Sequence, residues 1–137
     1  MSWVEKYMPI PFRAGGRDWD GTDCWGLVRL VLAHERGLYV PSYNEYAATG
    51  RDGLRELCHV VAGHMSEWAQ VPPADVLPFD LILLRRGPYP CHCGIVITPP
   101  QMLHIEHGAQ VSVESYLDCV HARRIVSFHR WPEVRAT

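Results

Sequence analysis

The stretch Gly16-Arg17-Asp18-Trp19-Asp20-Gly21-Thr22-Asp23-Cys24-Trp25-Gly26-Leu27-Val28-Arg29-Leu30-Val31-Leu32 joins a polar, glycine-punctuated loop to an amphipathic helix. Cys24, Leu27, Val28, Val31 and Leu32 recur at the i, i+3, i+4, i+7, i+8 spacing, which lays one apolar stripe against a core. Thr22 or Asp23 supplies the N-cap, and Gly37 after Arg36 suits a left-handed stop. Cys24 therefore opens the buried stripe, where unpaired backbone N–H groups and the positive end of the helix dipole favour an anion. The thiolate is the nucleophilic form of cysteine, so this placement prepares the sulfur for attack. On position alone, a structural cysteine at the start of a core helix is the simpler account. Residues further along the chain reverse that order.

Upstream, Trp3 to Met8 makes one short helical turn before Pro9 and Pro11, and Phe12 to Thr22 is loop. Downstream, Tyr39 to Gly50 is extended loop. A second helix is expected from Asp52 to about Trp68, with Leu54, Leu57, Cys58, Val61, Met65 and Trp68 on one face. Val71 to Pro78 is a connector. From Phe79 the period changes to strands: Phe79–Arg85, Cys91–Thr98, Met102–His107, Val111–Val113 and Arg124–Trp131, with a short helical piece around Glu114–Cys119. Helices first and an antiparallel meander after is an α+β order.

The 137 residues suit a single domain with a real core. A net charge of -2 leaves no electrostatic footprint for nucleic acid. No segment is long and apolar enough for membrane insertion. The five cysteines, an odd number without a disulfide-framework spacing, are expected as free thiols. The opening MSWVEKYMPIPFRAGG carries Glu5, two prolines and no apolar run, so it is not expected to act as a signal peptide.

A nucleophilic cysteine needs a base within reach, and the base needs a third group to orient it. Of the eight histidines, His34, His59, His64, His121 and His129 have no partner logic and are expected to face solvent. His92 and His104 differ. Along a strand His92, Gly94 and Val96 share one face, while Cys91, Cys93, Ile95 and Ile97 share the other. A three-residue loop at Thr98–Pro100 pairs Gly94 with His104, which sets His92 and His104 on one diagonal, about 7–8 Å apart at the backbone. The same register puts Glu106 opposite His92 as a rival orienting residue. Cys91-His92-Cys93 invites a zinc reading, but strand parity sends the two thiols away from the imidazole, so no metal site is expected.

These residues carry a family resemblance. Asp23-Cys24-Trp25-Gly26-Leu27-Val28 resembles the D-C-S-G-hydrophobic-hydrophobic motif of the NlpC family of papain-like cell-wall cysteine peptidases. Pro78-Phe79-Asp80-Leu81-Ile82 resembles that family's P-G-D-L-hydrophobic strand entry. His92-Cys93-Gly94-Ile95-Val96-Ile97 resembles its H-V-G-I-Y-I strand, and His104, twelve residues after His92, matches its third polar residue. The resemblance implies a papain-like α+β fold, the cysteine-bearing helix packed on an antiparallel sheet, and no cofactor. It implies Cys24 as nucleophile, His92 as base and His104 (or Glu106) as the orienting group. Asp23, Trp25 and Phe12 are expected beside the substrate, Asp23 also as N-cap and Trp25 as either core or groove wall. Phe12 stands where the family has a tyrosine, Trp25 replaces serine, Phe79 replaces glycine and Cys93 replaces an aliphatic residue.

Trp25, Arg29 and the Leu103-His104-Ile105-Glu106 segment are similar to those of small NlpC-like proteins of phage tails and gene-transfer particles. That similarity implies peptidoglycan stem peptides as substrate, cut at the D-glutamyl–diamino acid bond, and other tail-tip proteins as partners. It also implies residence in a virion tail after synthesis in the host cytoplasm. A structural tail component that keeps the fold, or an amidase or acyl-transfer variant, are the other readings.

Overall fold

The computed structural model describes residues 2–41, 63–87 and 89–132. Most of the helix expected from Asp52 lies outside the described residues, Cys58 and His59 included. Its described end is a 3-10 turn at His64–Glu67, after which Trp68 is extended. A first 3-10 turn spans Trp3–Tyr7, and the loop before Cys24 carries a small hairpin, β1 (Arg17–Asp18) with β2 (Gly21–Thr22).

Helix α1 runs Cys24–Arg36. Asp23 caps it, one carboxylate oxygen accepting from the Gly26 N–H at 2.8 Å, and Gly37 ends it in the left-handed conformation. The close packing of this start explains Gly26: a Cβ there would stand 2.0 Å from the Gly16 carbonyl oxygen. The loop and the first helical turn fit together only because that position has no side chain.

The remaining strands are β3 (Ala69–Val71), β4 (Leu81–Arg86), β5 (Tyr89–Val96), β6 (Gln101–Ile105), β7 (Val111–Ser115) and β8 (Ile125–Arg130). They form one antiparallel sheet in the order β3-β8-β4-β5-β6-β7. Alternation along the strands builds two cores. Leu81, Leu83, Cys93, Ile95, Leu103 and Ile105 pack with Trp25, Leu27, Val28 and Val31 of α1. Ile82, Leu84, Val96, Met102 and Phe128 form the second cluster, to which α1 contributes nothing.

The helical piece expected at Glu114–Cys119 is not there. Glu114 and Ser115 continue β7, because pairing with Met102 and Gln101 of β6 satisfies their backbone groups. The later helical turn is a 3-10 turn at Ala122–Arg124.

The Pro78–Leu81 entry is locked by charge. Buried Asp80 receives Nε and NH2 of Arg130 at 2.7 Å each, and its carboxylate also accepts the Leu77 N–H at 2.8 Å. This forked pair ties the start of β4 to the end of β8. Phe79 is more than a packing variant of glycine. Its φ of 72° is left-handed, a conformation that costs a non-glycine residue roughly 1–2 kcal/mol. Its ring stacks on Trp3 at 5.0 Å and lies under the Arg36 guanidinium, which offsets that strain.

Phe79→Gly and Phe79→Ala both delete the ring, but only glycine relaxes the backbone. Phe79→Gly is therefore expected to be the more stable of the two, by about 1 kcal/mol in denaturant unfolding; equal midpoints contradict a strained φ.

Candidate active site

Cys24 is half-buried at the start of α1. Helix geometry leaves its N–H without an acceptor inside the helix, whereas the Gly26 and Leu27 N–H groups are taken by Asp23. The Cys24 thiol is held well below the usual thiol range. The leading cause is a hydrogen bond from the Cys93 thiol; burial opposes it, and the hydrogen bond and charge of His92 and the Cys93 backbone add to it. Cys93 follows from the packing, since α1 lies on the face of β5 that Cys93 occupies.

His92 and His104 are fully buried. The hairpin has the expected register, Gly94 opposite His104, and the two imidazoles meet across it, His92 Nε2 to His104 Nδ1 at 2.9 Å. Gly94 makes room: a Cβ there would lie 3.1 Å from the Cβ of His104 and 3.0 Å from the Leu103 carbonyl oxygen. Burial, and next the charge of His92, push the His104 pKa down and so disfavour its charged form, against the hydrogen bond and charge of Glu114 and the charge of Glu106.

Glu106 also reaches His92, Oε1 to Nε2 at 3.3 Å. It is shared, however: Arg86 NH2 is 2.6 Å from Oε2 and Arg124 NH1 is 3.3 Å from Oε1. Burial raises its pKa, but the facing charges of His92, Arg86, Arg124 and His104 outweigh that and hold it at about 2. His104 makes the shorter contact and Glu106 supplies the negative charge, so the two are complementary.

Three residues expected beside a substrate are occupied otherwise. Trp25 is 1% exposed, its indole donating to the Pro41 carbonyl at 2.9 Å and its ring edge-on to Trp68. It is core, and its large apolar ring is buried for that reason. Asp23 is equally buried; besides capping α1 it accepts from Arg17 NH1 at 2.8 Å and from the Gly15 N–H at 3.1 Å. Phe12 bridges to Thr22 and meets the His107 ring edge at 4.8 Å.

Sequence reasoning missed other neighbours. Arg86 on β4 stands 3.5 Å from His92 Nδ1. Glu114 accepts from His104 Nε2 at 2.5 Å. His121 and His129 were expected in solvent but are buried, His121 held by Asp118 at 2.8 Å and His129 by Ser127 at 2.6 Å. The alternation rule that found His104 would have found Glu114, had β7 been continued to Ser115.

The arrangement can do thiol chemistry: a thiol whose ionisation is favoured, an imidazole beside it and an oriented second nitrogen. The sequence profile of the NlpC/P60 family matches residues 10–130. The chain belongs to the NlpC/P60 family. Among solved structures it is similar to the NlpC/P60 domain of the peptidoglycan hydrolase SagA, with 20% identity, TM-score 0.63, and 92% of this chain and 91% of that one covered. It also resembles an NLP/P60 lipoprotein-like protein of Staphylococcus aureus, with 17% identity and TM-score 0.66, covering 93% of this chain and 38% of that one. A third is the peptidoglycan hydrolase RipB of Mycobacterium tuberculosis, with 20% identity and TM-score 0.60, covering 93% and 59%. The chain thus spans well under half of the staphylococcal protein and nearly all of the SagA domain. No curated protein sequence matches it. The fold of this NlpC/P60 chain is papain-like α+β, and the enzyme class is cysteine peptidase.

Glu106 gives a pH test of the site. Its folded pKa of about 2 lies below the ordinary 4.5, so its contribution to stability is complete above 4.5 and is lost as pH falls through 2. Glu106→Gln is expected to flatten the dependence of melting temperature on pH across that interval; a curve parallel to the native one contradicts the ion cluster.

Proposed function

We propose that this NlpC/P60 protein hydrolyses an amide of a peptidoglycan stem peptide through a Cys24 thioester. The observation that carries the reading is the half-buried thiol in contact with His92, whose Nε2 is engaged by His104 and Glu106. With Nε2 so held, Nδ1 is the nitrogen that exchanges a proton with Cys24. The thiolate attacks the carbonyl carbon, and the Cys24 N–H at the helix start stabilises the oxyanion. Protonated His92 gives its proton to the leaving amine, and the C–N bond breaks. His92 then takes a proton from water, whose hydroxide attacks the thioester; the C–S bond breaks and releases the thiolate and the carboxylic acid, which gives its proton to solvent.

The D-glutamyl–diamino acid bond is our choice of scissile bond, supported by the family resemblance. That the similar proteins SagA and RipB are peptidoglycan hydrolases supports the substrate class. The setting we infer is a phage or phage-like tail, where neighbouring tail-tip proteins deliver the domain to the cell wall. This rests on the sequence similarity of the Trp25, Arg29 and Leu103–Glu106 segments. A structural tail component is the second reading, favoured by Phe12: its position holds a ring against His107 and has no hydroxyl to offer a substrate.

Defined muropeptides incubated with the native chain are expected to yield cleaved stem fragments by mass spectrometry. Cys24→Ala should lower that rate by on the order of 10³-fold or more while the melting curve is kept. Intact muropeptides, together with a Cys24 that resists iodoacetamide near neutral pH, favour the structural reading.

A further inference from the structure

Cys24, His92 and His104 leave one strong contact unused. Glu114 on β7 lies one diagonal beyond His104, as His104 lies one diagonal beyond His92. The pairs Gly94↔His104 and His104↔Ser112 give both steps the same offset. Its Oε2 is 2.5 Å from His104 Nε2, Ser112 Oγ is 3.4 Å from that same oxygen, and His121 Nε2 is 3.7 Å away with its own Nδ1 on Asp118.

We propose that Glu114 is a positioning residue that sets the proton direction of the whole histidine chain through its contact with His104 Nε2. The inference rests on the thiol-peptidase reading above. A carboxylate only accepts, so His104 Nε2 carries the hydrogen. A neutral imidazole has one N–H, so His104 Nδ1 is a lone pair and accepts from His92 Nε2. His92 therefore keeps its hydrogen on Nε2 and presents Nδ1 to Cys24 as a base. Without Glu114, the other His104 tautomer donates from Nδ1 to His92 Nε2. That moves the His92 hydrogen to Nδ1 and removes the base. Glu106 Oε1 favours the working tautomer too, but it is farther, 3.3 Å against 2.9 Å, and is divided between Arg86 and Arg124. Losing Glu114 is thus expected to weaken the site rather than abolish it.

The groups facing this chain are Cys24, Arg86 (NH2 3.5 Å from Nδ1) and Glu106 around His92, His92, Glu106 and His121 around His104, and His104, Ser112 and His121 around Glu114. Three readouts on the full chain test the assignment. Nitrogen NMR of histidine-labelled native protein should show His104 protonated at Nε2 and bare at Nδ1; the opposite tautomer overturns the proposal. Iodoacetamide alkylation of Cys24 across pH needs no substrate. Glu114→Ala should slow it roughly tenfold near neutral pH, the scale of one charge-assisted hydrogen bond, and shift its midpoint upward. Glu114→Gln, which keeps an acceptor oxygen, should recover part of the rate. In muropeptide cleavage Glu114→Ala should lower kcat with KM unchanged. Alkylation that matches the native profile in both variants overturns the proposal, as does a changed melting temperature alone. Should Glu114→Ala fail to fold, Glu114→Gln and the native tautomer decide. Alkylation that responds to Glu114 in a protein that cleaves no muropeptide keeps the positioning role and rejects only the substrate; a native Cys24 that is inert to iodoacetamide rejects both.

Discussion

Two imidazoles without exposed surface, joined by a 2.9 Å hydrogen bond, are the constraint on which the site depends. A buried polar ring that lacks a partner costs several kcal/mol on the order of its desolvation. The sheet must therefore hold His92 and His104 in register. It does so with a three-residue turn at Thr98–Pro100 and with Gly94, the residue that leaves the diagonal open. The charged groups beside the pair follow from the same need: Glu106 balances His92, and Arg86 and Arg124 balance Glu106.

Cys24 meets this pair from a helix that packs on the other face of β5. Helix α1 lies on the face of Cys93 and Ile95, whereas His92 and Gly94 have the opposite parity, opposite Leu84 and Ile82 of the second core. Cys24, at the first position of the helix, interacts with both Cys93 and His92. The Cys24 thiol is thereby tuned by a second buried thiol as well as by His92. A residue that replaces an aliphatic side chain of the family pattern thus bears directly on the sulfur.

Other motif residues are accounted for by sterics and charge rather than chemistry. Gly26 admits the Gly16 carbonyl, Asp23 ties the preceding loop to α1 through Gly26, Arg17 and Gly15, and Asp80 joins β4 to β8 through Arg130. Trp25 belongs with these: its position next to Cys24 suggests a groove, but its ring turns into the core against Trp68. Adjacent residues on a helix point about 100° apart, so nearness in sequence to Cys24 carries no information about the groove.

By itself the sequence determined the local rules: the extent of α1 from its cap and stop, the parity of His92 against Cys93, and the Gly94–His104 register from the turn length. These depend on interactions within a few residues or across one hairpin, and periodicity exposes them. Only the tertiary structure decided which face of β5 receives α1, and hence that Cys24 meets Cys93. It likewise decided that β7 continues through Glu114, and that His121 is buried beside it. Backbone pairing with β6 overrides the weak helical preference of Glu114–Cys119. The left-handed backbone under Phe79 is a third such case, since only contacts with Trp3 and Arg36, distant in the chain, make a large residue tolerable where the turn itself favours glycine.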